Sequence, residues 1–149
     1  MGKINIDGVT LTPLKKILHP KGDILHGMKK GDNGYVGFGE VYFSIIKHDE
    51  IKGWNRHKEM TLNLVVPMGS VTFIIYDDRE KNRSNGTFFK VELSLSNYVR
   101  LTVPPGLWLA FKGNDANTSL ILNIASMAHN PDEIEKLDLN KISYNWESN

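Results

Sequence analysis

The sequence predicts an all-β fold, a sandwich or barrel of the jelly-roll kind. Two observations lead to this prediction. Short runs rich in β-branched and aromatic residues recur along the chain, and clusters of Gly, Pro and Asn separate them at regular intervals. Seven or more short strands with this spacing are typical of a sandwich or barrel. The length of 149 residues predicts one domain over 1–149.

The predicted strands follow from composition and alternation. The run Phe88–Leu93 alternates apolar and polar residues, as a half-buried strand does. The other runs are shorter or more continuously apolar, as strands buried on both faces are. In chain order the predicted strands are Val41–Ile46, Thr61–Val66, Val71–Tyr76, Phe88–Leu93, Tyr98–Val103, Trp108–Phe111 and Ser119–Ala125.

One helix is predicted, near the C-terminus. Asn130 is a favourable N-cap, Pro131 suits the first helical position, and Glu133 follows the cap by three residues, as in a capping box. These signals predict a short helix from about Pro131 to Lys136.

Charge and composition exclude several classes of function. Lys and Arg number 18 and Asp and Glu number 17, so the net charge is +1. This balance argues against nucleic acid or an anionic membrane surface as a partner, and any bound anion needs a local cationic cluster. The chain has no cysteine, which excludes disulfides and thiolate chemistry. No apolar run reaches the length of a signal peptide or membrane span, so a cytoplasmic protein is expected.

The densest polar cluster is the segment Lys52–Glu59. If it forms a strand, alternation places Asn55 and His57 on one face and Arg56 and Lys58 on the other. An imidazole facing a pocket can act as a general base near neutral pH. The alternative is a solvated strand edge with an ordinary surface histidine.

A metal site is not predicted. A metal site in a barrel usually needs two or three imidazoles and a carboxylate around one ion, whereas this segment offers Asn55 and His57. Four other residues have both a structural and a functional interpretation. His129 is either a loop residue or a second acid–base group, and Trp108 is either core or a stacking surface. Arg79 can fix a loop through a carboxylate, and Lys21 lies in a turn from which it can reach an anion.

Seven motifs occur in an order that resembles one enzyme family. They are Lys21-Gly22-Asp23, Phe38–Tyr42, Lys52-Gly53-Trp54, Met60–Asn63, Tyr76–Arg79, Pro104–Trp108 and His129–Glu133. The chain resembles a short, divergent branch of the dTDP-4-dehydrorhamnose 3,5-epimerase family, from about Ile17 to Trp146. This resemblance implies a cupin-type jelly roll and a homodimer that exchanges N-terminal strands.

The resemblance also implies a reaction without a metal or other cofactor. A ketone at C4 of a nucleotide-linked sugar acidifies the neighbouring C–H bonds. A base removes one proton, the enolate is stabilised, and an acid returns a proton from the opposite face. The implied partner is the nucleotide sugar, whose diphosphate needs Lys or Arg.

Site residues implied by the resemblance depart from the family pattern. The position of the usual catalytic histidine is Asn55, so His57 is the predicted base, and His129 takes the place of the acid tyrosine. The carboxylate that orients the base corresponds to Asp138. The lysine that stabilises the enolate would lie near Thr61 or Leu62 and has no equivalent. Residues predicted to contact the substrate are Lys21, Lys52, Asn55, Tyr42, Asn63, Arg79 and Trp108.

Three functional hypotheses follow. The first is an epimerase or isomerase of a nucleotide-linked 4-keto sugar, with His57 as base and His129 as acid. The second is a non-catalytic cupin that binds a sugar or sugar nucleotide, because the usual catalytic position is Asn55. The third, a metal-dependent cupin, requires a bound metal ion.

Overall fold

The computed structural model describes residues 4–147. Over that range the chain is almost entirely β-structure, with two single turns of 3-10 helix at Pro131–Glu133 and Leu139–Lys141. The strands are β1 Thr10–Pro13, β2 Lys16–Ile17, β3 Ile24–Leu25, β4 Glu40–Ile46, β5 Ile51–His57, β6 Leu62–Met68, β7 Ser70–Asp77, β8 Thr87–Ser94, β9 Val99–Val103, β10 Trp108–Gly113, β11 Ser119–Ala125 and β12 Ile134–Lys136.

Two antiparallel five-stranded sheets pack face to face. The first sheet has the strand order β1-β9-β6-β11-β4, and the second has the order β12-β5-β10-β7-β8. Strands β2 and β3 form a separate hairpin. Apart from the consecutive pair β7 and β8, strand neighbours in both sheets are not consecutive in sequence, as in the crossed connections of a jelly roll. The predicted cupin-type all-β fold is confirmed.

The main core lies between the two sheets. Alternate residues of each strand point inward, and the largest inward side chains, such as Phe73, Leu101 and Ile121, have almost no exposed surface. Burying each such side chain stabilises the fold by roughly 1.5–3 kcal/mol. The inter-sheet space is filled around β7, β8 and β9 and opens toward β4 and β5, which positions the cavity described below.

A second, smaller core covers the outer face of the second sheet. Trp54 and Trp108 are almost fully buried there, although both point away from the inter-sheet space. The C-terminal segment passes over them, with the Trp146 ring centroid 6.0 Å from that of Trp54. The indole N–H of Trp54 donates to the Leu139 carbonyl at 3.2 Å. This packing holds β5 from behind.

All seven predicted strands are confirmed within about two residues at their ends. The short strands β1, β2, β3 and β12 were not predicted, because runs of two to four residues show too little alternation. Within residues 4–147, no helix is long and apolar enough to cross a membrane.

The predicted helix from Pro131 to Lys136 is wrong in its second half. Asn130 does cap, since its side chain accepts from the N–H of Asp132 at 3.0 Å, and Pro131 starts a turn. Only Pro131–Glu133 is helical, and the next three residues form β12 on the edge of β5. Glu133 does not complete a capping box, because its carboxylate bonds to groups at the end of β5 instead.

Candidate active site

A cavity of about 490 Å³ lies between the two sheets. Its floor is apolar, and its polar side chains come from both walls. Such a volume suits a small-molecule ligand, and a few polar groups in an apolar cavity are typical of a binding site. The polar lining comprises Glu40, Tyr42 and Ser44 of β4, Lys52, Asn55 and His57 of β5, Asn123 of β11, and His129.

A bulge in β5 brings three of these residues to one face. Leu109 of β10 pairs with Asn55, whereas Phe111 pairs with Lys52, so β5 has one extra residue between the two pairs. The bulge contains Gly53, whose φ is +150° and at which a Cβ would clash with Ala110. Lys52 therefore faces the cavity together with Asn55 and His57, although simple alternation would point it away.

His57 is held by a buried carboxylate. Its Nδ1 hydrogen-bonds to Oε1 of Glu133, and their side chains are only 13% and 5% exposed. The other carboxylate oxygen accepts from the backbone N–H groups of Glu59, at 3.2 Å, and Met60, at 3.1 Å. With Nδ1–H donated to the carboxylate, Nε2 is the ring nitrogen that carries the lone pair.

The environment of Glu133 favours its ionised form. Burial by itself would raise its pKa, but the hydrogen bonds from His57 and from the N–H groups of Glu59 and Met60 hold the pKa below its usual range. Glu133 is therefore a carboxylate at neutral pH. A carboxylate in this place fixes the imidazole orientation and stabilises the imidazolium that forms when the ring accepts a proton.

Tyr42 lies on the opposite wall. It pairs in register with Asn123 of the neighbouring strand, and its phenol oxygen accepts from Nδ2 of Asn123 at 2.8 Å. Burial and the nearby Glu40 raise the pKa of Tyr42, and the hydrogen bond from Asn123 lowers it in part. The net shift is upward, so the phenol keeps its proton at neutral pH.

The remaining predicted residues that reach the cavity are at its rim or on β5. His129 lines the rim and is exposed. The Lys52 ammonium donates to the Ile45 carbonyl at 2.7 Å, and Lys52 is the one Lys or Arg that lines the cavity within residues 4–147. Asn55 points inward between Lys52 and His57, and its amide makes no hydrogen bond within that range.

The structure corrects the placement of Asn63 and Trp108. Both strands alternate, so the cavity receives the neighbours of these residues and not the residues themselves. The Asn63 carbonyl oxygen accepts from Thr102 at 2.6 Å and from Arg100 at 3.2 Å behind the first sheet. The Trp108 N–H donates to Asp78 at 2.9 Å, and the Arg56 guanidinium lies 4.3 Å from its ring centroid. Each has a structural role away from the cavity.

Three further predicted residues also lie outside the cavity. Arg79 donates to the buried Asp77 through Nε and Nη2, both at 2.9 Å, which is the loop-fixing alternative. Lys21 is exposed in the turn after β2. Asp138 precedes the second 3-10 turn and is exposed, and the carboxylate that hydrogen-bonds to His57 belongs to Glu133.

The two side chains that hydrogen-bond to His57 and Tyr42, those of Glu133 and Asn123, were not predicted from the sequence. The sequence pattern predicted Glu133 to be a capping residue and did not indicate that its carboxylate bonds to His57. Asn123 had a visible signal, because a polar residue stands at an inward position of the otherwise apolar segment 120–125. An amide in such a position needs hydrogen-bonding groups near it.

Solved structures share this architecture over nearly the whole chain. The dTDP-4-dehydrorhamnose 3,5-epimerase from Elizabethkingia anophelis NUHP1 is 18% identical, with a TM-score of 0.80 and coverage of 99% of this chain and 86% of that one. The dTDP sugar isomerase from Desulfovibrio desulfuricans G20 is 30% identical, with a TM-score of 0.93 and coverage of 98% and 95%. The chain belongs to the dTDP-4-dehydrorhamnose 3,5-epimerase family.

A curated relative of this epimerase-family chain is a probable epimerase of glycan biosynthesis. The probable low-salt glycan biosynthesis epimerase of Haloferax volcanii is 29% identical over 96 residues, and the match spans 62% of each protein. No family model matches the chain. Of these two relatives, one is thus a probable epimerase of glycan biosynthesis and the other a dTDP sugar isomerase.

Proposed function

We propose that this protein epimerises or isomerises a nucleotide-linked 4-keto sugar by proton transfer at a carbon next to the ketone. The observation that carries the proposal is the His57–Glu133 pair in the wall of the cavity. The family supplies the substrate class, since its members include a dTDP sugar isomerase and a dTDP-4-dehydrorhamnose 3,5-epimerase.

His57 acts as the base. Its Nε2 takes the proton from the carbon next to the ketone, and the electrons of the C–H bond form a C=C bond while negative charge moves to the C4 oxygen. Glu133 keeps the ring in the tautomer that can accept this proton and offsets the imidazolium charge. It is a positioning residue, since it acts through His57.

Asn55 stabilises the enolate. It lies two residues before His57 on the same face of β5, about 7 Å away along the strand. Its amide N–H has no acceptor within residues 4–147 and can donate to the C4 oxygen. A donor aimed at developing negative charge in an apolar cavity is worth more than the same bond in water.

A group on the other wall returns a proton to the carbon. His129 at the rim is the acid implied by the family resemblance, and Tyr42 is a second candidate on β4. The first sheet supplies Tyr42 and the second supplies His57, so the two groups approach a sugar from opposite sides. Proton removal on one face and return on the other inverts the carbon.

The charge of the cavity rim is compatible with a diphosphate. Lys52 supplies a cation on β5, and its Nζ is free to leave the Ile45 carbonyl because the side chain is exposed. Because the chain is nearly neutral, a bound diphosphate needs a cation close to it, and Lys52 supplies one.

A non-catalytic, sugar-binding cupin is the second candidate. Asn55 favours it, because an amide cannot remove a proton from carbon. The two candidates share the cavity and the ligand class but differ in whether His57 exchanges a proton with the sugar.

Solvent exchange separates these candidates. The protein is incubated in D₂O with dTDP-4-keto-6-deoxyglucose, and deuterium in the sugar is measured by NMR, while dTDP binding is measured by calorimetry. Deuterium at C3 or C5 supports the enzyme. Binding of dTDP without exchange over a panel of 4-keto sugars supports the second candidate, and the absence of both overturns both.

We also propose a homodimer, formed through the outer face of β4. This strand ends the first sheet, so one of its edges has no neighbouring strand within the described chain. Its outward side chains Val41, Phe43 and Ile45 are 50%, 66% and 57% exposed. An exposed apolar edge strand favours association with a second copy over exposure to water.

A further inference from the structure

The two polar residues of the first sheet that face the cavity side by side form a unit. Asn123 lies on β11 directly across from Tyr42 on β4, and its amide N–H donates to the phenol oxygen at 2.8 Å. The position on β11 is flanked on the same face by the buried Ile121 and Ala125. Asn123 itself is 7% exposed.

Packing does not account for an amide at this position. The Oδ1 atom of Asn123 is buried and accepts no hydrogen bond within the described chain. An unsatisfied buried carbonyl oxygen is unfavourable, and an apolar side chain of the same size would avoid that cost. The contribution of Asn123 is therefore the hydrogen bond from Nδ2 to Tyr42.

This hydrogen bond limits the directions in which the O–H of Tyr42 can donate. A phenol oxygen has one hydrogen to donate and can accept a hydrogen bond, and here Asn123 occupies an accepting position. The O–H of Tyr42 donates to no group within residues 4–147. Tyr42 lines the cavity, so its hydrogen is available to a bound ligand.

We propose that Asn123 is a positioning residue that fixes the Tyr42 phenol with its O–H directed at the sugar. The proposal rests on the proposed function, because it makes Tyr42 the group that gives a proton to the carbon. When the phenol gives up its hydrogen, the N–H of Asn123 already points at the oxygen that gains negative charge. The same bond therefore orients the acid and stabilises its conjugate base.

Titration of Tyr42 in the ligand-free protein tests the contact without any activity. The chain has five tyrosines, and labelling them with ¹³C at Cζ gives one signal each, of which Tyr42→Phe identifies one. Asn123→Leu removes the donor, and Asn123→Asp replaces it with an acceptor of nearly the same shape. Both variants are expected to move the Tyr42 titration to higher pH and to leave the other four unchanged, with Asn117→Leu in an exposed loop as the control.

Kinetics test the role. For exchange of deuterium into dTDP-4-keto-6-deoxyglucose, Asn123→Leu is expected to lower kcat about tenfold and to change KM less than about twofold. The double variant with Tyr42→Phe should lose no more than Tyr42→Phe alone, since the two residues act as a unit.

Each outcome decides one claim. If the Tyr42 titration is the same in the wild type and in both Asn123 variants, the positioning role is overturned. If it shifts but the double variant loses activity additively, Asn123 acts elsewhere and the proposal is again overturned. If it shifts and the wild type exchanges no deuterium, the contact between the two residues is supported while the proposed function fails.

Discussion

The Nδ1 atom of His57 is hydrogen-bonded to Oε1 of Glu133, a residue 76 positions later in the chain. The pairing of β12 with β5 produces this contact, since Ile134 pairs in register with His57. Glu133 stands immediately before that pair and also accepts two backbone N–H groups. Its position is therefore fixed by the sheet and by the β5–β6 connection, and His57 is fixed by Glu133.

Replacing His57 tests the base directly. His57→Asn should lower the rate of deuterium exchange into a dTDP-4-keto sugar by about 10²–10⁴-fold, the usual contribution of a general base. The control is His48→Asn, because His48 is exposed and bonds to the Asp115 carbonyl on the surface. An exchange rate in His57→Asn equal to that of the control would contradict the assignment.

Replacing Glu133 tests the orientation of the base. Glu133→Gln keeps the shape but removes the charge, so the imidazole loses its counter-charge. The amide has one acceptor oxygen where the carboxylate has two, and when the backbone N–H groups of Glu59 and Met60 take that oxygen, the amide NH₂ faces the imidazole. We expect kcat to fall by about 10²-fold or more while dTDP affinity is retained, as for other base-orienting carboxylates. Asp132→Asn is the matched control, since Asp132 is the preceding residue and is exposed. Equal kcat in both variants would leave Glu133 without a positioning role.

Acid should weaken the fold through Asp77. Burial by itself would raise the pKa of Asp77, but hydrogen bonds from Arg79 and Ser84 hold it below its usual value. A carboxyl with a depressed folded-state pKa stabilises the fold above its unfolded-state pKa, about 3.9, and loses that contribution as pH falls further. Asp77→Asn should therefore cost about 2 kcal/mol at pH 7, the usual contribution of hydrogen bonds to a charged group, and less below pH of about 4.

Urea unfolding at pH 7, 5, 4 and 3 measures this dependence on pH. The exposed Asp132→Asn variant should follow the wild type throughout. A difference between wild type and Asp77→Asn that stays constant down to pH 3 would show that the charge of Asp77 does not contribute.

Trp108 should affect stability and not ligand binding. It is 4% exposed in the outer core and bonds to Asp78, with the Arg56 guanidinium over its ring. Trp108→Leu is expected to reduce the free energy of unfolding by about 2–4 kcal/mol, through lost packing and the lost hydrogen bond to Asp78. The Kd for dTDP, measured by calorimetry, should stay within about twofold. A large loss of dTDP affinity with unchanged stability would show that Trp108 belongs to the binding site instead.

The exposed face of β4 should mediate dimerisation. Phe43→Glu places a charge in the centre of this face and is expected to give a monomer in sedimentation velocity at concentrations where the wild type is a dimer. Leu137→Glu, on the side of the second sheet, makes the same kind of change away from β4 and should remain dimeric. A wild-type protein that sediments as a monomer at all concentrations would overturn the proposed dimer.

The fold could be predicted from the sequence because its signals are local. Runs such as Val71–Tyr76 and Ser119–Ala125 contain enough β-branched and apolar residues to define a strand without outside information. Three-residue β12 contains too few, and its strand conformation depends on the edge of β5. Pro131 and Asn130 gave a correct helix start, but the end depended on where the Glu133 side chain bonded.

Alternation along one strand predicted part of the cavity lining, and the family resemblance predicted Tyr42, Lys52 and His129, which also line the cavity. Alternation correctly predicted that Asn55 and His57 lie on one face of β5. Asn63 and Trp108 were predicted to contact the substrate but lie outside the cavity, because their strands present the neighbouring residues to it. Contacts between strands distant in sequence have no local signal. The pair of His57 and Glu133 and the pair of Tyr42 and Asn123 both belong to that class.

The bulge at Gly53 leaves a trace that can be recognised in sequence. The residues of β5 that face the cavity, Lys52, Asn55 and His57, are spaced by three and then by two positions. In a strand without a bulge, residues on one face are two positions apart throughout. In a helix, residues on one face are three or four positions apart, so a spacing of two does not occur. In a related chain with a larger residue in place of this glycine and an unbroken strand, simple alternation would send the cation to the outer face and separate the proposed phosphate binding from the proposed proton transfer.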